Sequence, residues 1–152
     1  MCHLKLMTQK EFELYLNQAI AEYADDLVKS GEVSLENSME KSKQSFLSLL
    51  PNGVSSKQQY LFNIMSDDNL MLGMIWYGIR SEHEGFIYDF EILFEFRGQG
   101  FGKKALLLVE EHAKSIGIHK LGLRVFGHNN RAYQLYKKMG YTVYSMNMSK
   151  EF

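Results

Sequence analysis

The sequence has little of several features that would set it apart from ordinary globular proteins. Of its 152 residues only one is cysteine and one proline, and the formal net charge is −1. The single Cys2 cannot form a disulfide within the chain, which fits a reducing, cytoplasmic environment. No apolar run approaches the ~20 residues of a membrane-spanning helix, and charged residues interrupt the first twenty positions, so we expect neither membrane anchor nor signal peptide. The near-zero charge gives no reason to expect a nucleic-acid or membrane surface.

What the sequence does contain is a regular series of amphipathic segments. Its length and its 45% hydrophobic content predict one folded domain over residues 1–152. Thr8 and Glu11 have the spacing of a capping box at a helix start, and apolar residues follow at helical spacing as far as Gly31. A second helix is predicted between Ser34 and Pro51.

Strand patterns dominate the middle of the chain. YLFNIM and LMLGMIWYGI read as a hairpin around Asp67-Asp68-Asn69, and FIYDFEI follows as a third strand. A helix ending near Gly117 comes next, then a strand KLGLRVF, a short helix HNNRAYQLYKKMG and a final strand YTVYSMNM. With the short strand HLKLM at the start, this order predicts an α/β fold in which a mixed sheet carries helices on both faces.

Three glycines at alternate positions, Gly98, Gly100 and Gly102, separate the third of these strands from the helix that follows. Glycine lets the backbone approach a ligand closely, and a helix start presents unpaired N–H groups and the positive end of the helix dipole. This arrangement is typical of phosphate binding. The spacing is not that of the G-x-G-x-x-G dinucleotide fingerprint, and Gly102-Lys103 is followed by Lys104, so a P-loop is not matched either.

Two blocks of the sequence carry a family pattern. Arg97, Gly100 and Gly102 meet the pattern Q/R-x-x-G-x-G/A. A second pattern, N-x-x-A-x-x-L-Y-x-x-x-G-F/Y, is met by Asn129, Ala132, Leu135, Tyr136, Gly140 and Tyr141. In these blocks, which are one helix and one strand apart, the chain resembles the GNAT superfamily of acetyl-CoA-dependent N-acetyltransferases, in its small bacterial form. The resemblance implies a single N-acetyltransferase domain over residues 1–152, with a mixed, mostly antiparallel sheet of six or seven strands and about four helices.

The resemblance also implies where acetyl-CoA would bind. The strand around Phe90 to Ile92 would splay from the strand 121–126, and the pantetheine arm would lie in the V-shaped cleft beside free backbone groups near Ile92. The pyrophosphate would lie on N–H groups from Gly98 to Lys103. Arg97 is expected to anchor the turn rather than to touch substrate, and no metal is expected. The predicted cofactor-binding residues are Ile92, Arg97, Gly98, Gln99, Gly100, Phe101, Gly102, Lys103, Asn129 and Tyr136.

Tyr136 is the predicted general acid. The departing thiolate has an intrinsic pKa near ~8.5, and a phenol of pKa ~10 within reach would protonate it. The alternative is that Tyr136 only packs in the core, on the same helical face as Ala132 and Met139. Asn129 would contact CoA, and its position also suits an N-cap of the last helix.

Glu91 is the predicted general base. An alkylammonium acceptor has a pKa near ~10.4 and must lose a proton before it attacks. Asp89 and Glu91 alternate with Tyr88, Phe90 and Ile92 along the strand, so both carboxylates should share one face, opposite those three side chains. Glu91 would then act directly or through a water. The alternative is that both carboxylates pair with basic groups or solvent.

Arg124 departs from the family pattern, because some members that acetylate proteins carry a glutamate there. It would bind an anionic substrate group or form a salt bridge with Glu91 across the cleft. The resemblance therefore implies transfer of an acetyl group from acetyl-CoA to a primary amine, by direct attack in a ternary complex. The alternative is a CoA-binding regulatory or interaction domain without catalysis. The acceptor, a small molecule or a protein N-terminus or lysine, has no readable motif, and a homodimer is compatible with the family.

Overall fold

The computed structural model describes residues 1–152, which form one five-stranded sheet with two helices on each face. In chain order the elements are β1 (Cys2–Leu6), α1 (Gln9–Lys29), α2 (Leu35–Leu49), β2 (Gln59–Ser66), β3 (Met71–Ser81), β4 (Glu84–Ile92), α3 (Phe101–Ser115), β5 (Lys120–Leu123) and α4 (Asn130–Lys138). Two short 3-10 turns lie at Gly53–Ser55 and Phe94–Phe96. None of the four α-helices combines the length and the apolar character that crossing a membrane requires.

The sheet is mixed and mostly antiparallel, as predicted. Its strand order is β1-β2-β3-β4-β5, and only the last pair, β4 with β5, is parallel. The predicted count of six or seven strands is wrong, because the sheet has five. The expected final strand 141–148 does not form, since a strand needs a paired neighbour and these residues have none in the chain. For the same reason β5 stops at Leu123, short of the predicted 126.

The predicted start of α1 is confirmed in detail. The Glu11 N–H donates to Thr8 Oγ1 at 3.2 Å, and the Thr8 N–H donates to Glu11 Oε1 at 2.9 Å, which completes the capping box. The helix then buries Phe12, Ala19 and Leu27. The apolar spacing of α1 therefore fixes which side of the helix faces the sheet.

Two apolar cores lie on the two faces of the sheet. One packs α1 and α2 against β2 and β3; its buried side chains are Met7, Phe12, Ala19, Phe46, Leu50, Leu61, Met74 and Trp76. The other packs α3 and α4 on the opposite face, where the largest fully buried side chains include Ile75, Tyr77 and Leu106. Functional residues on β4 are consequently presented either toward α1 or toward α4.

A β-bulge in β4 changes which of its side chains face α1 and which face α4. Trp76 of β3 lies opposite Asp89, while the next residue, Tyr77, lies opposite Ile87, so Tyr88 has no partner. A bulge inserts one residue and shifts the alternation of side chains beyond it. Tyr88 therefore lies on the same face as Asp89, where its ring stacks on Trp76 at 4.7 Å.

The bulge confirms one prediction about the orientation of side chains on β4 and contradicts another. Asp89 and Glu91 lie opposite Trp76 and Met74, two side chains of the α1–α2 core, so the prediction that the carboxylates share a face is confirmed. The prediction that Tyr88 points away from them is wrong, because simple alternation cannot anticipate the extra residue. Phe90 and Ile92 do point to the opposite face, as expected, and pack with the α3–α4 core.

Candidate active site

The glycine turn is built on a short anchored loop after β4. Nε of Arg97 donates a hydrogen bond to the Ile92 carbonyl at 2.8 Å, which holds the loop against the end of the strand. Gly98 and Gly100 have φ angles of +74° and +85°. These values are strained for any side chain, so both positions favour glycine for backbone reasons. No atom lies within 4 Å of the site that a Cβ would occupy at either glycine, so the turn is open to solvent.

The start of α3 leaves a row of backbone donors free. Gly100 is the N-cap and has no side chain to satisfy them, and the first helical bond joins the Lys104 N–H to the Gly100 carbonyl at 3.2 Å. The N–H groups of Phe101, Gly102 and Lys103 precede that bond and have no backbone partner. With the positive end of the helix dipole behind them, they form a site suited to an anion such as a phosphate.

Gly102, by contrast, is favoured by packing. A Cβ there would lie 3.1 Å from Leu135 Cδ2, closer than side chains normally approach. The residue therefore lets α3 and α4 come together beside the cleft. The three glycines of the motif thus divide into two that shape the open turn and one that permits helix packing.

The cleft predicted between the fourth and fifth strands is present. β4 and β5 pair only from Glu84 opposite Lys120 to Ile87 opposite Leu123. Beyond Leu123 the chain leaves the sheet, and the second half of β4 has no neighbour on that side. The separation begins at the bulge, where the partnerless Tyr88 bends the strand.

Backbone groups of β4 point into this opening. The Leu93 N–H bonds to the Leu72 carbonyl on β3 at 2.8 Å, which fixes the phase of the antiparallel ladder. Because hydrogen-bonded and non-bonded pairs alternate, the backbone groups of Ile92 point away from β3, toward the missing neighbour. The Ile92 carbonyl already accepts the hydrogen bond from Arg97. The Ile92 N–H therefore remains for an extended ligand.

Tyr136 is 9% exposed, and its ring packs between Phe90 at 6.4 Å and Tyr141 at 5.8 Å. The core-packing role considered for it is therefore real. Its hydroxyl has no hydrogen-bond partner in the chain, yet no fully buried polar side-chain atom is left without one, so the hydroxyl has contact with solvent. Burial and the charge of Asp89 raise the pKa of Tyr136 above 10, which keeps the phenol protonated. Asn129 caps α4 by accepting a hydrogen bond from the Ala132 N–H at 3.3 Å.

Carboxylates gather on the other face of β4, toward α1. The Tyr15 hydroxyl donates to Asp89 Oδ2 at 2.6 Å. Burial raises the pKa of Asp89 to about 6, and the hydrogen bond from Tyr15 opposes that rise while Glu22 and Asp26 add to it. Burial, together with the neighbouring charges of Glu22 and Asp89, also raises the pKa of Glu91. Arg97 opposes this second shift, with its Nη2 3.7 Å from Glu91 Oε1.

Several residues of this region were not singled out in the sequence. Tyr15, Glu22 and Asp26 all lie on α1, at spacings of seven and four residues. A hydroxyl on the apolar face of a helix needs a partner, and that was the available signal for Tyr15. His128 pairs with Asp26 at 2.9 Å and stacks on Phe126.

Of the two roles considered for Arg124, the salt bridge with Glu91 does not form. Arg124 pairs with Glu32, beyond the end of α1, and its guanidinium lies 5.0 Å from the Phe126 ring centroid. Glu91 instead faces Arg97 of the glycine turn. The divergence of β5 from β4 carries Arg124 away from the carboxylates. No group of three or more His, Cys, Asp or Glu side chains is arranged to hold a metal ion.

Comparison with known proteins agrees with this geometry. The sequence profile of the acetyltransferase (GNAT) family matches residues 19–141. The chain belongs to this family. It is 34% identical to the uncharacterised N-acetyltransferase YdgE of Bacillus subtilis (strain 168) over 97% of this chain and 96% of that protein. It is 36% identical to YycN of the same organism, also an uncharacterised N-acetyltransferase, over 95% of both chains. The crystal structure of YycN superposes with a TM-score of 0.95 at 35% identity, over 100% of this chain and 99% of that one.

GNAT proteins generally take acetyl-CoA as the acyl donor, and the residues of this chain fit that molecule. The open backbone at Gly98 and Gly100 and the free N–H groups at the start of α3 suit a pyrophosphate. The unpaired edge of β4 at Ile92 suits an extended amide-containing arm, which would bind as an added strand. The glycine turn, the cleft and Tyr136 thus lie beside one opening, with Gln99 held over the turn by a 3.2 Å hydrogen bond to the Glu95 carbonyl.

Proposed function

We propose that this GNAT protein transfers an acetyl group from acetyl-CoA to a primary amine, by direct attack in a ternary complex. The observation that carries the proposal is the opening between β4 and β5 beside the glycine turn. Tyr136 lies on one side of the sheet at this opening and Glu91 on the other. An acid and a base on opposite sides of one cleft suit a reaction in which one group gains a proton and another loses one.

The donor site would be formed by backbone more than by side chains. Acetyl-CoA supplies an activated acetyl thioester when bound. The N–H groups of Phe101, Gly102 and Lys103 would hold its pyrophosphate, with Gly98, Gln99 and Gly100 forming the turn. Arg97 would keep that turn in place from the Ile92 carbonyl. Ile92 would offer its N–H to the pantetheine arm, and Asn129 would contact CoA while capping α4.

Tyr136 is proposed to give a proton to the departing sulfur. Burial and the charge of Asp89 raise its pKa, so the phenol is fully protonated at neutral pH and carries the proton to be transferred. A thiol has a lower pKa, near ~8.5, so the tyrosinate left behind is the stronger base and must be reprotonated after the thiol departs. A hydroxyl that contacts solvent on an otherwise buried ring is what such a donor needs.

Glu91 is proposed to accept the proton of the attacking amine, directly or through a water. Its side chain is 34% exposed, so an acceptor can reach it, whereas Tyr15 covers Asp89. The raised pKa of Glu91 makes it a stronger base than an ordinary glutamate. Glu22 and Asp26 on α1 extend the negative charge on this face, which favours a cationic amine over an anionic acceptor.

The experiment that tests the proposal is thiol release from acetyl-CoA, followed with DTNB across a panel of small amines and amine-bearing peptides. We expect release that depends on the amine, with Tyr136→Phe lowering kcat by roughly 10²-fold or more and leaving donor affinity nearly unchanged. Tyr133→Phe, which removes a hydroxyl from the same helix, is the matched control and should turn over normally. Unchanged turnover in Tyr136→Phe would contradict the acid role. Donor binding without release from any amine would favour a CoA-binding domain without catalysis.

A further inference from the structure

Residues 142–152 contribute nothing to the fold of their own chain. Tyr141 is the last residue tied to it, through its N–H to the Tyr136 carbonyl at 3.0 Å and its hydroxyl to Glu110 at 3.1 Å. Beyond Tyr141 no residue lies in a helix or strand, makes a hydrogen bond within the chain or packs against either core. This segment, residues 142–152, is referred to below as the tail.

The tail nevertheless has the composition of a strand. Tyr144, Met146 and Met148 occupy alternate positions and are 79%, 75% and 90% exposed, while Ser145 and Asn147 lie between them. Alternation of large apolar and small polar residues is typical of a strand with one buried face. No charged residue interrupts positions 142–149. An exposed segment of this kind favours pairing with another β-strand.

The sheet offers a matching unpaired edge. β5 is the last strand in the order and pairs on one side only, with β4. Leu121 and Leu123 of β5 and Val125 just beyond its end lie at alternate positions, half-buried against the α3–α4 core. A strand added to this edge would satisfy its free backbone groups and cover those three side chains.

We propose that two copies of the chain exchange tails, so that residues 142–148 of each form a sixth strand on the free edge of β5 in the other. The tail and the free edge of β5 are both unpaired in the folded chain and do not meet there. Reciprocal exchange in a two-fold dimer would therefore pair both tails and both β5 edges. Seven extended residues span about 23 Å, enough to follow β5 and the residues up to Val125. The added strand lies on the edge of β5 away from β4, so the cleft stays open.

Sedimentation velocity of the full chain tests the exchange. We expect a species of twice the 17.7 kDa chain mass at micromolar concentration. The triple variant Tyr144→Asp, Met146→Asp and Met148→Asp should sediment as a monomer that keeps the helical far-UV circular dichroism of the parent. The variant Ser145→Asp, Asn147→Asp and Ser149→Asp, with the same added charge on the other tail face, should remain a dimer. A monomeric parent chain, or a dimer that survives the first triple variant, would overturn the proposal.

Cross-linking distinguishes exchange from a tail that folds back on its own β5. In a Cys2→Ser background, Leu123→Cys is combined in turn with Tyr144→Cys, Met146→Cys or Met148→Cys and oxidised. The proposal expects at least one combination to give a disulfide-linked species of doubled mass on non-reducing gels. A disulfide formed only within one chain, or none in any combination, would contradict it. Neither experiment depends on acetyl transfer, so failure here leaves the proposed function to be judged separately.

Discussion

Replacing Asp89 with asparagine is predicted to remove a loss of fold stability that develops between acidic and neutral pH. The pKa of this carboxyl rises from an ordinary 3.8 to about 6, chiefly by burial. A raised pKa means that the folded state binds the proton more tightly than the unfolded state, so stability falls as pH rises from about 4 to about 6 and is then level. The difference between these two pKa values corresponds to about 3 kcal/mol at pH 7. An asparagine side chain carries no charge at any of these pH values, so the variant would escape this loss.

Urea unfolding followed by fluorescence of the single tryptophan, Trp76, measures the effect between pH 4 and pH 8. The stability difference between the Asp89→Asn variant and the parent should increase with pH by up to about 3 kcal/mol and level above pH 6. Only the pH dependence is diagnostic, because exchanging a carboxyl for an amide also adds a constant offset. A difference that does not change with pH would show that Asp89 is not a desolvated charge in the folded protein.

Two control variants sharpen this experiment. Asp25→Asn removes an exposed carboxylate from α1 and is the matched control for the loss of one acidic side chain. Tyr15→Phe removes the 2.6 Å hydrogen bond that opposes the shift, so the pKa of Asp89 should rise further and the stability loss should extend to higher pH. A carboxylate that costs stability at neutral pH is typical of functional sites.

Two further predictions concern the cleft. Glu91→Gln should lower kcat/KM at neutral pH and abolish the acid limb of the kcat/KM pH profile. In the parent chain that limb should lie above the ordinary glutamate range, because the pKa of Glu91 is raised. An unchanged acid limb in the variant would assign the base to another residue. Gly73→Ala places a Cβ 2.0 Å from the Glu91 carbonyl oxygen, so β4 must shift. We expect the free energy of unfolding in urea to fall by about 1–3 kcal/mol and acetyl-CoA to bind more weakly. Parental values for both measurements would contradict the close packing.

Much of the fold follows from local patterns in the sequence. The capping box of Thr8 and Glu11 fixes the start of α1, and the apolar spacing of that helix identifies the face that is buried. The positions of Gly98 and Gly100 predict a turn that only glycine adopts easily, and the structure has positive φ at both. These features depend on residues close together in the chain, so their physics is readable without the rest of the structure.

What the sequence did not reveal depends on partners far away in the chain. Tyr15 and Asp89 are 74 residues apart, and nothing local indicates that the phenol reaches the carboxylate. The bulge at Tyr88 adds a residue to one strand only, so the alternation of apolar residues cannot show it. The tail has the sequence pattern of a strand because strand propensity depends on neighbouring residues. Which strand could pair with it depends on residues elsewhere in the chain, so the pattern does not show whether a strand forms.

The most direct test of the account is calorimetric titration of acetyl-CoA into the parent chain and two glycine variants. Gly100→Ala and Gly117→Ala introduce a similar strain, about 1–2 kcal/mol, because φ is +85° and +90° at positions with nothing within 4 Å. They flank the two ends of α3, so only the first disturbs the free N–H groups. We predict saturable binding to the parent chain, markedly weaker binding to Gly100→Ala and parental binding to Gly117→Ala. No binding to the parent at high micromolar acetyl-CoA, or equal binding to all three, would contradict the donor site described here.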